Sequence, residues 1–353
     1  MSLSKTEPFP VGAVLHGRSG RRYGIEEILS ERRDPLLCVY RARYVRTSNP
    51  STKLALTSEL YLSSVGAEKF VLKNMIPGDF EYNQDLQNYV ASCPNLRTAI
   101  DAVPDFELLV YPFLAGDLFA FSKALFVDWL GSTKRASSIL FNFLLSRLQP
   151  RFCGCHPGPD VLADIKPNNI LLDYDVAGDD ITVRNVQVSD LEDAVVIPPG
   201  KNLKDCLRGN QLWRSPESWV RARQSTPSDI YSFGVVIIYV MLNEMVFRAR
   251  DEELAAKDAW RHVLRRHISY FADDGGIKGL LSHIGEDNPF FDRLIDLAAE
   301  FGASRPRSPF ALWQYVDEEL RDLIGKMTNF DPARRITAHE ALEHPWFSKG
   351  SSD

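Results

Sequence analysis

The segment Asp164-Ile165-Lys166-Pro167-Asn168-Asn169 puts a carboxylate, an ammonium group and a side-chain amide within six residues, just ahead of the apolar run Ile170-Leu171-Leu172. These three groups suit phosphoryl transfer. The acid accepts a proton from an attacking hydroxyl, the lysine neutralises charge on the transferred phosphate, and the asparagine offers an oxygen to a metal ion. A plainer reading is a loop of turn-formers, with Asp164 as a helix cap and Pro167-Asn168-Asn169 as a turn. The choice between them depends on partners elsewhere in the chain. One follows at Asp190, where Val186 and Val188 alternate with polar residues as in a strand that delivers a carboxylate to a site.

The elements that must hold these groups are legible in outline. Tyr23 to Leu29, Leu36 to Arg43 and Lys69 to Lys73 read as strands, and Thr47 to Thr52 as an insertion. Asp79 to Ala91 has helical spacing behind an acidic cap. Leu108 to Leu114 reads as a buried strand running into a connector. After Asp117 the pattern turns helical, with helices expected at Ser138–Leu148, Asp229–Leu242, Glu252–His267, Asp292–Phe301, Val316–Met327 and Ala338–Leu342. Residues 1 to 20 read as a flexible tail.

Composition bounds the function. The 353 residues suffice for one large domain or two lobes, and 44% hydrophobic content supports a core. A net charge of −6 gives no footprint for nucleic acid or an anionic membrane. Met1 to Pro10 lacks the apolar core of a signal peptide, and the apolar run Gly234 to Leu242 is too short to span a bilayer. The five cysteines, Cys38, Cys93, Cys153, Cys155 and Cys206, are odd in number and read as reduced thiols of an intracellular protein, cytoplasmic or nuclear. Cys153-Gly154-Cys155-His156 has no matching pair of ligands and reads as a loop rather than a zinc site.

Five segments then occur in a telling order: Asp164 to Asn169, Asp190, Ser215-Pro216-Glu217, Ser228-Asp229-Ile230-Tyr231-Ser232-Phe233-Gly234, and Asp331-Pro332-Ala333-Arg334-Arg335-Ile336-Thr337 leading into His344-Pro345-Trp346-Phe347. Together they resemble the eukaryotic protein kinase family in a divergent, fungal-type form, over roughly residues 105 to 347. The resemblance implies an α+β fold with a small β-rich N-lobe at 21–114 and a larger mainly α-helical C-lobe at 115–348. It implies ATP and Mg²⁺ as cofactors and a protein substrate or partner. By the same resemblance Asp164 and Lys166 are catalytic, and Asn169 and Asp190 hold the metal. Lys73 contacts the nucleotide α- and β-phosphates. Val110 to Leu114, with Tyr111 at the gate of the inner pocket and Phe113 beside it, forms the adenine-reading hinge. Asp117 contacts ribose or caps the next helix. Asp85 is the preferred helix partner of Lys73, ahead of Gln84 and Glu81. Glu217 and Arg335 resemble a buried structural ion pair.

The departures are as informative. Ser30 to Leu37 has no glycine where the family covers the phosphates with a glycine loop, and Arg32 and Arg33 either reach a phosphate or face water. Leu162 and Ala163 precede Asp164 in place of His and Arg. Leu191 to Arg214 contains no Ser, Thr or Tyr, so activation by phosphorylation there lacks both acceptor and reader. Glu192 replaces a glycine beside the metal site, and Asn210 replaces a threonine. Lys166 matches the Ser/Thr type. The expected function is a divergent Ser/Thr-type protein kinase independent of activation-loop phosphorylation. The alternatives are a pseudokinase that binds nucleotide or acts as a scaffold, and a kinase-like enzyme on a small molecule.

Overall fold

The computed structural model describes residues 6–45, 68–128, 160–177, 180–198 and 200–348. The expected insertion at Thr47–Thr52, the helix at Ser138–Leu148 and the segment Cys153 to His156 lie outside them. The chain divides into two compact units, Met1–Ser92 with Leu96–Leu114, and Cys93–Asn95 with Ala115–Asp353.

The first unit is an antiparallel sheet of β1 (Val14–His16), β2 (Arg22–Arg32), β3 (Leu37–Tyr44), β4 (Lys69–Asn74), β5 (Asp101–Val103) and β6 (Leu108–Pro112), in the order β1-β2-β3-β4-β6-β5. Strand alternation splits its apolar residues between two layers. Phe70 and Leu72 of β4 join Tyr23, Tyr40, Leu108 and Val110 on one face. Val71 joins Met75, Leu109 and Tyr111 on the other. Both faces are apolar, so both need cover. Helix α1 (Phe80–Val90) covers the second, entering through Phe80 and burying Phe80, Asn83, Leu86, Gln87 and Val90 at helical spacing.

Cover for the first face corrects the expected tail. Phe9 is buried, its N–H donates to Tyr40 Oη at 3.2 Å, and its ring meets those of Tyr40 and Phe106. Val14–His16 pairs with β2, and Ser19 and Tyr23 both donate to the Asp101 carboxylate. Residues 6–20 therefore belong to the sheet unit. The signal in the sequence was the run Phe9 to Leu15, too short and too interrupted by Pro10 and Gly12 to read as a strand.

The second unit contains β7 (Gly116–Asp117), α2 (Leu118–Asp128), β8 (Asp160–Leu162), β9 (Ile170–Ala177), β10 (Asp180–Val188), β11 (Val195–Ile197) and then helices α3 (Pro216–Trp219), α4 (Thr226–Leu242), α5 (Asp251–Ala255), α6 (Ala259–Phe271), α7 (Asp274–Ile284), α8 (Phe291–Ala299), α9 (Glu318–Met327), α10 (Ala338–Leu342) and α11 (Pro345–Ser348). Helix α4 is apolar all round and is buried continuously from Ser228 to Val240, so it is the core around which the unit packs. Gly234 lets α9 approach, because a Cβ there would lie 2.9 Å from Thr328 Cγ2. The fold is α+β, a β-rich unit followed by a mainly helical one. Among the described residues no helix is long and apolar enough to cross a membrane.

Candidate active site

The loop between β8 and β9 is fixed from below by α4. Asp229, buried in the first turn of α4, accepts the Ala163 N–H at 3.2 Å. Lys166 is extended, and the turn Pro167–Asn169 closes with the Asn169 N–H on the Lys166 carbonyl at 3.0 Å. This folds the six-residue motif back on itself. Asp164 is 8% exposed, and its carboxylate is held on both oxygens. Oδ1 accepts the Asn210 N–H at 2.8 Å, while Oδ2 accepts Lys166 Nζ at 2.5 Å and Asn169 Nδ2 at 3.4 Å. Asn169 Nδ2 also donates to the Asp164 carbonyl at 2.9 Å. Asp164, Lys166 and Asn169 are thus brought into direct contact.

Asp190 is tied to the same cluster through its neighbour. Ser189 donates to the Asn169 carbonyl through its N–H at 2.7 Å and its Oγ at 3.1 Å. Asp190 itself adopts φ 64°, a left-handed conformation that turns the chain sharply out of β10, and Leu191 is buried behind it. Asn169 commits its NH₂ to Asp164, and no described residue donates to its Oδ1. One amide oxygen and one carboxylate are a hard-oxygen donor set that fits Mg²⁺ completed by water and phosphate oxygens. Among the described residues no group of three or more His, Cys, Asp and Glu forms a protein-only metal cage.

The first unit carries the residues expected on the nucleotide side. Lys73 is half-buried and lies on the same sheet face as Val71, with Val39 and Leu109 opposite it in register. Tyr111 is buried, accepts Gln87 Nε2 at 3.3 Å and lies 5.0 Å beneath the Arg97 guanidinium. Phe113 packs on the same apolar layer, with Lys69 Nζ 5.8 Å from its ring. Sequence reasoning missed Arg97, which places Nη2 2.6 Å and Nε 3.2 Å from the Pro112 carbonyl. Its only signal was an arginine just before a strand.

Asp85 is a correction. Like Glu81, it is exposed and makes no ion pair among the described residues, while Gln84 accepts a hydrogen bond from Arg18. Phe80 sets the phase of α1, so its inward polar side chains are Asn83 and Gln87, and the helix offers no carboxylate on its buried face. Asp117 caps α2, accepting the Ala120 N–H at 2.9 Å. The turn Arg33–Leu36 joins β2 to β3 without a glycine, and Arg33 is engaged by Glu31 at 2.8 Å and Glu7 at 3.7 Å.

The segment after Asp190 is stitched along its length. Val195–Ile197 pairs with Asp160–Leu162. Leu203 and Gln224 exchange backbone hydrogen bonds at 3.1 and 2.7 Å, and Gln224 Nε2 donates to the Cys206 carbonyl. Ser218 Oγ accepts the Arg208 N–H at 3.1 Å and donates to the Arg208 carbonyl at 2.7 Å. Asn210 ends the series on Asp164 through its backbone, while its side chain accepts the Leu212 N–H.

A family model of the protein kinase domain matches residues 155–347, more than half of the chain. The chain belongs to the protein kinase family. Among its relatives, the dual specificity protein kinase CLK1 of Mus musculus is 30% identical over 202 residues, 52% of this chain and 39% of that protein. The human CLK1 gives the same identity and coverage. Calcium-dependent protein kinase 12 of Oryza sativa subsp. japonica is 27% identical over 198 residues, 56% of this chain and 28% of that protein. The chain thus spans well under two thirds of the length of these relatives.

In this family member the Glu217–Arg335 pair is enclosed. Arg335 Nη1 and Nη2 lie 2.6 and 3.1 Å from the two Glu217 oxygens, Ser228 Oγ donates at 2.7 Å, and the remaining guanidinium hydrogens reach the Pro227 and Asn329 carbonyls. Burial alone pushes the Glu217 carboxyl up, but the Arg335 charge and the hydrogen bonds from Arg335 and Ser228 outweigh it and hold it below the usual range. Arg335 also lies over the Tyr231 ring at 5.0 Å, and Tyr231 bonds His267, whose burial drives it far towards the neutral form.

Proposed function

We propose that this chain is a Ser/Thr-type protein kinase that moves the γ-phosphate of ATP onto a protein hydroxyl. The observation that carries this reading is the grip on Asp164, whose carboxylate is oriented by donors from Lys166, Asn169 and Asn210. A base held at both oxygens needs little reorganisation to meet an acceptor hydroxyl. In the step, Asp164 takes the hydroxyl proton, the acceptor oxygen bonds the γ-phosphorus, and the β–γ bridging P–O bond breaks with its electron pair leaving on ADP. Lys166 neutralises charge on the transferred phosphate. Asn169 and Asp190 would hold Mg²⁺, which when bound offsets the charge of the phosphates. Lys73 serves the α- and β-phosphates, with Tyr111 and Phe113 on the adenine side. The free, buried thiols of Cys38 and Cys93 support an intracellular setting, cytoplasmic or nuclear.

The kinase needs no phosphate on its activation segment. Ala163 stands where the family's phosphate-reading arginine would be, and the contacts of Leu203, Arg208 and Asn210 order the segment without one. Phosphatase treatment should leave turnover unchanged. Asp164→Asn should cut transfer to a Ser/Thr peptide library by at least about 10²–10⁴-fold. Turnover equal to wild type in that variant would remove the proposed mechanism.

A pseudokinase is the second reading. It is favoured by the Pro112 carbonyl, which already receives two Arg97 donors, and by the glycine-free turn between β2 and β3.

A further inference from the structure

The turn between β1 and β2 sets a serine among arginines, Arg18-Ser19-Gly20-Arg21-Arg22. Arg18, Ser19, Gly20 and Arg21 are all exposed, whereas Tyr23 just beyond them is buried. Two backbone bonds close the turn, from Gly17 N–H to the Arg21 carbonyl at 2.8 Å and from Gly20 N–H to the Gly17 carbonyl at 3.0 Å. A third, from Arg18 N–H to the Ala102 carbonyl at 2.8 Å, lays the turn against β5. Asp101 of β5 holds its tip. Oδ1 accepts the Ser19 N–H at 3.0 Å, and Oδ2 accepts both the Ser19 hydroxyl and the Tyr23 hydroxyl, the latter at 2.8 Å. The approach is close, since a Cβ on Gly17 would strike Asp101 Oδ2. Burial alone raises the Asp101 carboxyl, but the hydrogen bonds from Ser19 and Tyr23 outweigh it and hold it below the usual range. From the same turn Arg18 reaches α1, giving Nη1 to Gln84 Oε1 at 3.2 Å. One exposed serine therefore ties the turn to β5, and the residue beside it ties the turn to α1.

The Ser19 hydroxyl donates to Asp101 and accepts the Arg21 N–H at 3.3 Å. Carrying a phosphate, it would have no hydrogen to donate and would set about two negative charges against a carboxylate. The phosphate would also compete for Arg18, whose present acceptor is a neutral amide, because charge-assisted bonds to phosphate are the stronger. The flanking arginines are what an acidic substrate cleft recognises. We propose that Ser19 is a phosphorylation site for a basophilic protein kinase, and that the phosphate releases the β1–β2 turn from Asp101 and, through Arg18, from α1. In the step, Ser19 Oγ loses its proton to the base of the modifying kinase and bonds the γ-phosphorus of ATP, and the β–γ bridging P–O bond breaks with its electron pair leaving on ADP. The inference goes beyond the proposed activity and does not depend on it, because here the chain is the acceptor.

The test uses the full chain and a basophilic Ser/Thr kinase catalytic domain that phosphorylates a peptide of residues 13–25. With that kinase, ATP and Mg²⁺, tandem mass spectrometry should place phosphate on Ser19 of the folded chain, and Ser19→Ala should lose it. Phosphate on the peptide with none on residue 19 of the folded chain overturns the site. The release is read on the same samples. Trypsin cuts after Arg21 and Arg22, and cleavage there should quicken by about tenfold or more on phosphorylation, as loss of a charge-assisted bond allows. Amide exchange should rise over β1, β5 and α1 while α4 keeps its protection. Asp101→Asn, which removes the repelled charge, should shrink the response to phosphate. Phosphate on Ser19 that leaves both cleavage and exchange unchanged overturns the switch.

Discussion

Glu217 and Arg335 show how a single pair can be structural and yet costly to disturb. Both side chains are fully enclosed, at 1% and 0% exposure, so removing one partner strands the other without water. Glu217→Gln should cost roughly 3–5 kcal/mol in denaturant unfolding, and Glu217→Leu with Arg335→Met should recover much of that. The pH dependence follows from the depressed carboxyl. Unfolded Glu217 binds its proton near the usual 4.5, whereas the folded group resists until lower pH. Its contribution is therefore present above about 4.5 and is lost as pH falls through the folded value. The acid limb of a stability–pH curve should be shallower in Glu217→Gln. An unchanged limb would mean that other carboxylates, such as Glu300 with its three arginines, carry the acid sensitivity.

At the scale of elements, the activation segment is ordered by neutral contacts that a substitution can cut. Ser218 sits on α3, is 2% exposed, and serves both the N–H and the carbonyl of Arg208. Ser218→Ala leaves those backbone groups unpaired, at a cost of about 1–3 kcal/mol. Amide exchange should rise across residues 203–210 while α4 stays protected, and kcat should fall as Asn210 loosens its hold on Asp164. Uniform exchange changes across the second unit would instead mark Ser218 as a general stabiliser. The elements also show what was legible. Helix α4 was readable because it is apolar throughout, and the Asp164 loop because its chemistry needs fixed residue types at fixed spacing. The expected helix at 252–267 is two, α5 and α6, since the chain leaves helical geometry at Ala256. Helix α7 went unread because Gly275, Gly276 and Gly279 oppose helix propensity. Packing explains them, as a Cβ on Gly276 would lie 2.9 Å from Phe330 Cβ. Asp85 failed for a related reason. Tertiary burial follows the helical phase that Phe80 and Val90 impose, and that phase puts Asp85 outside whatever its charge.

For the whole molecule the deciding question is whether it holds nucleotide at all. The sequence preserves the polar groups that the proposed transfer needs, Lys73, Asp164, Lys166, Asn169 and Asp190, while the phosphate-covering glycines and the helix carboxylate are absent. The two observations pull affinity in opposite directions, because the first group contributes charge and the second contributes backbone donors and positioning. A ligand that binds only the folded state stabilises it by about 2.7 kcal/mol at a hundredfold excess over Kd, enough to raise Tm by several degrees. With ATP and Mg²⁺ together the wild-type Tm should rise, and with either alone it should rise less, since in the proposed site Asn169 and Asp190 contribute fully only when metal and phosphate are both present. Asp190→Asn should remove the metal-dependent part, and Lys73→Met should weaken the nucleotide-dependent part. Asp164→Asn should keep the shift while losing transfer, because its proposed role lies in the proton rather than in the phosphates. A wild-type protein with no shift at millimolar ATP and Mg²⁺ would instead favour the pseudokinase, with Arg97 on the Pro112 carbonyl as the first contact to remove, by Arg97→Ala, in search of restored binding.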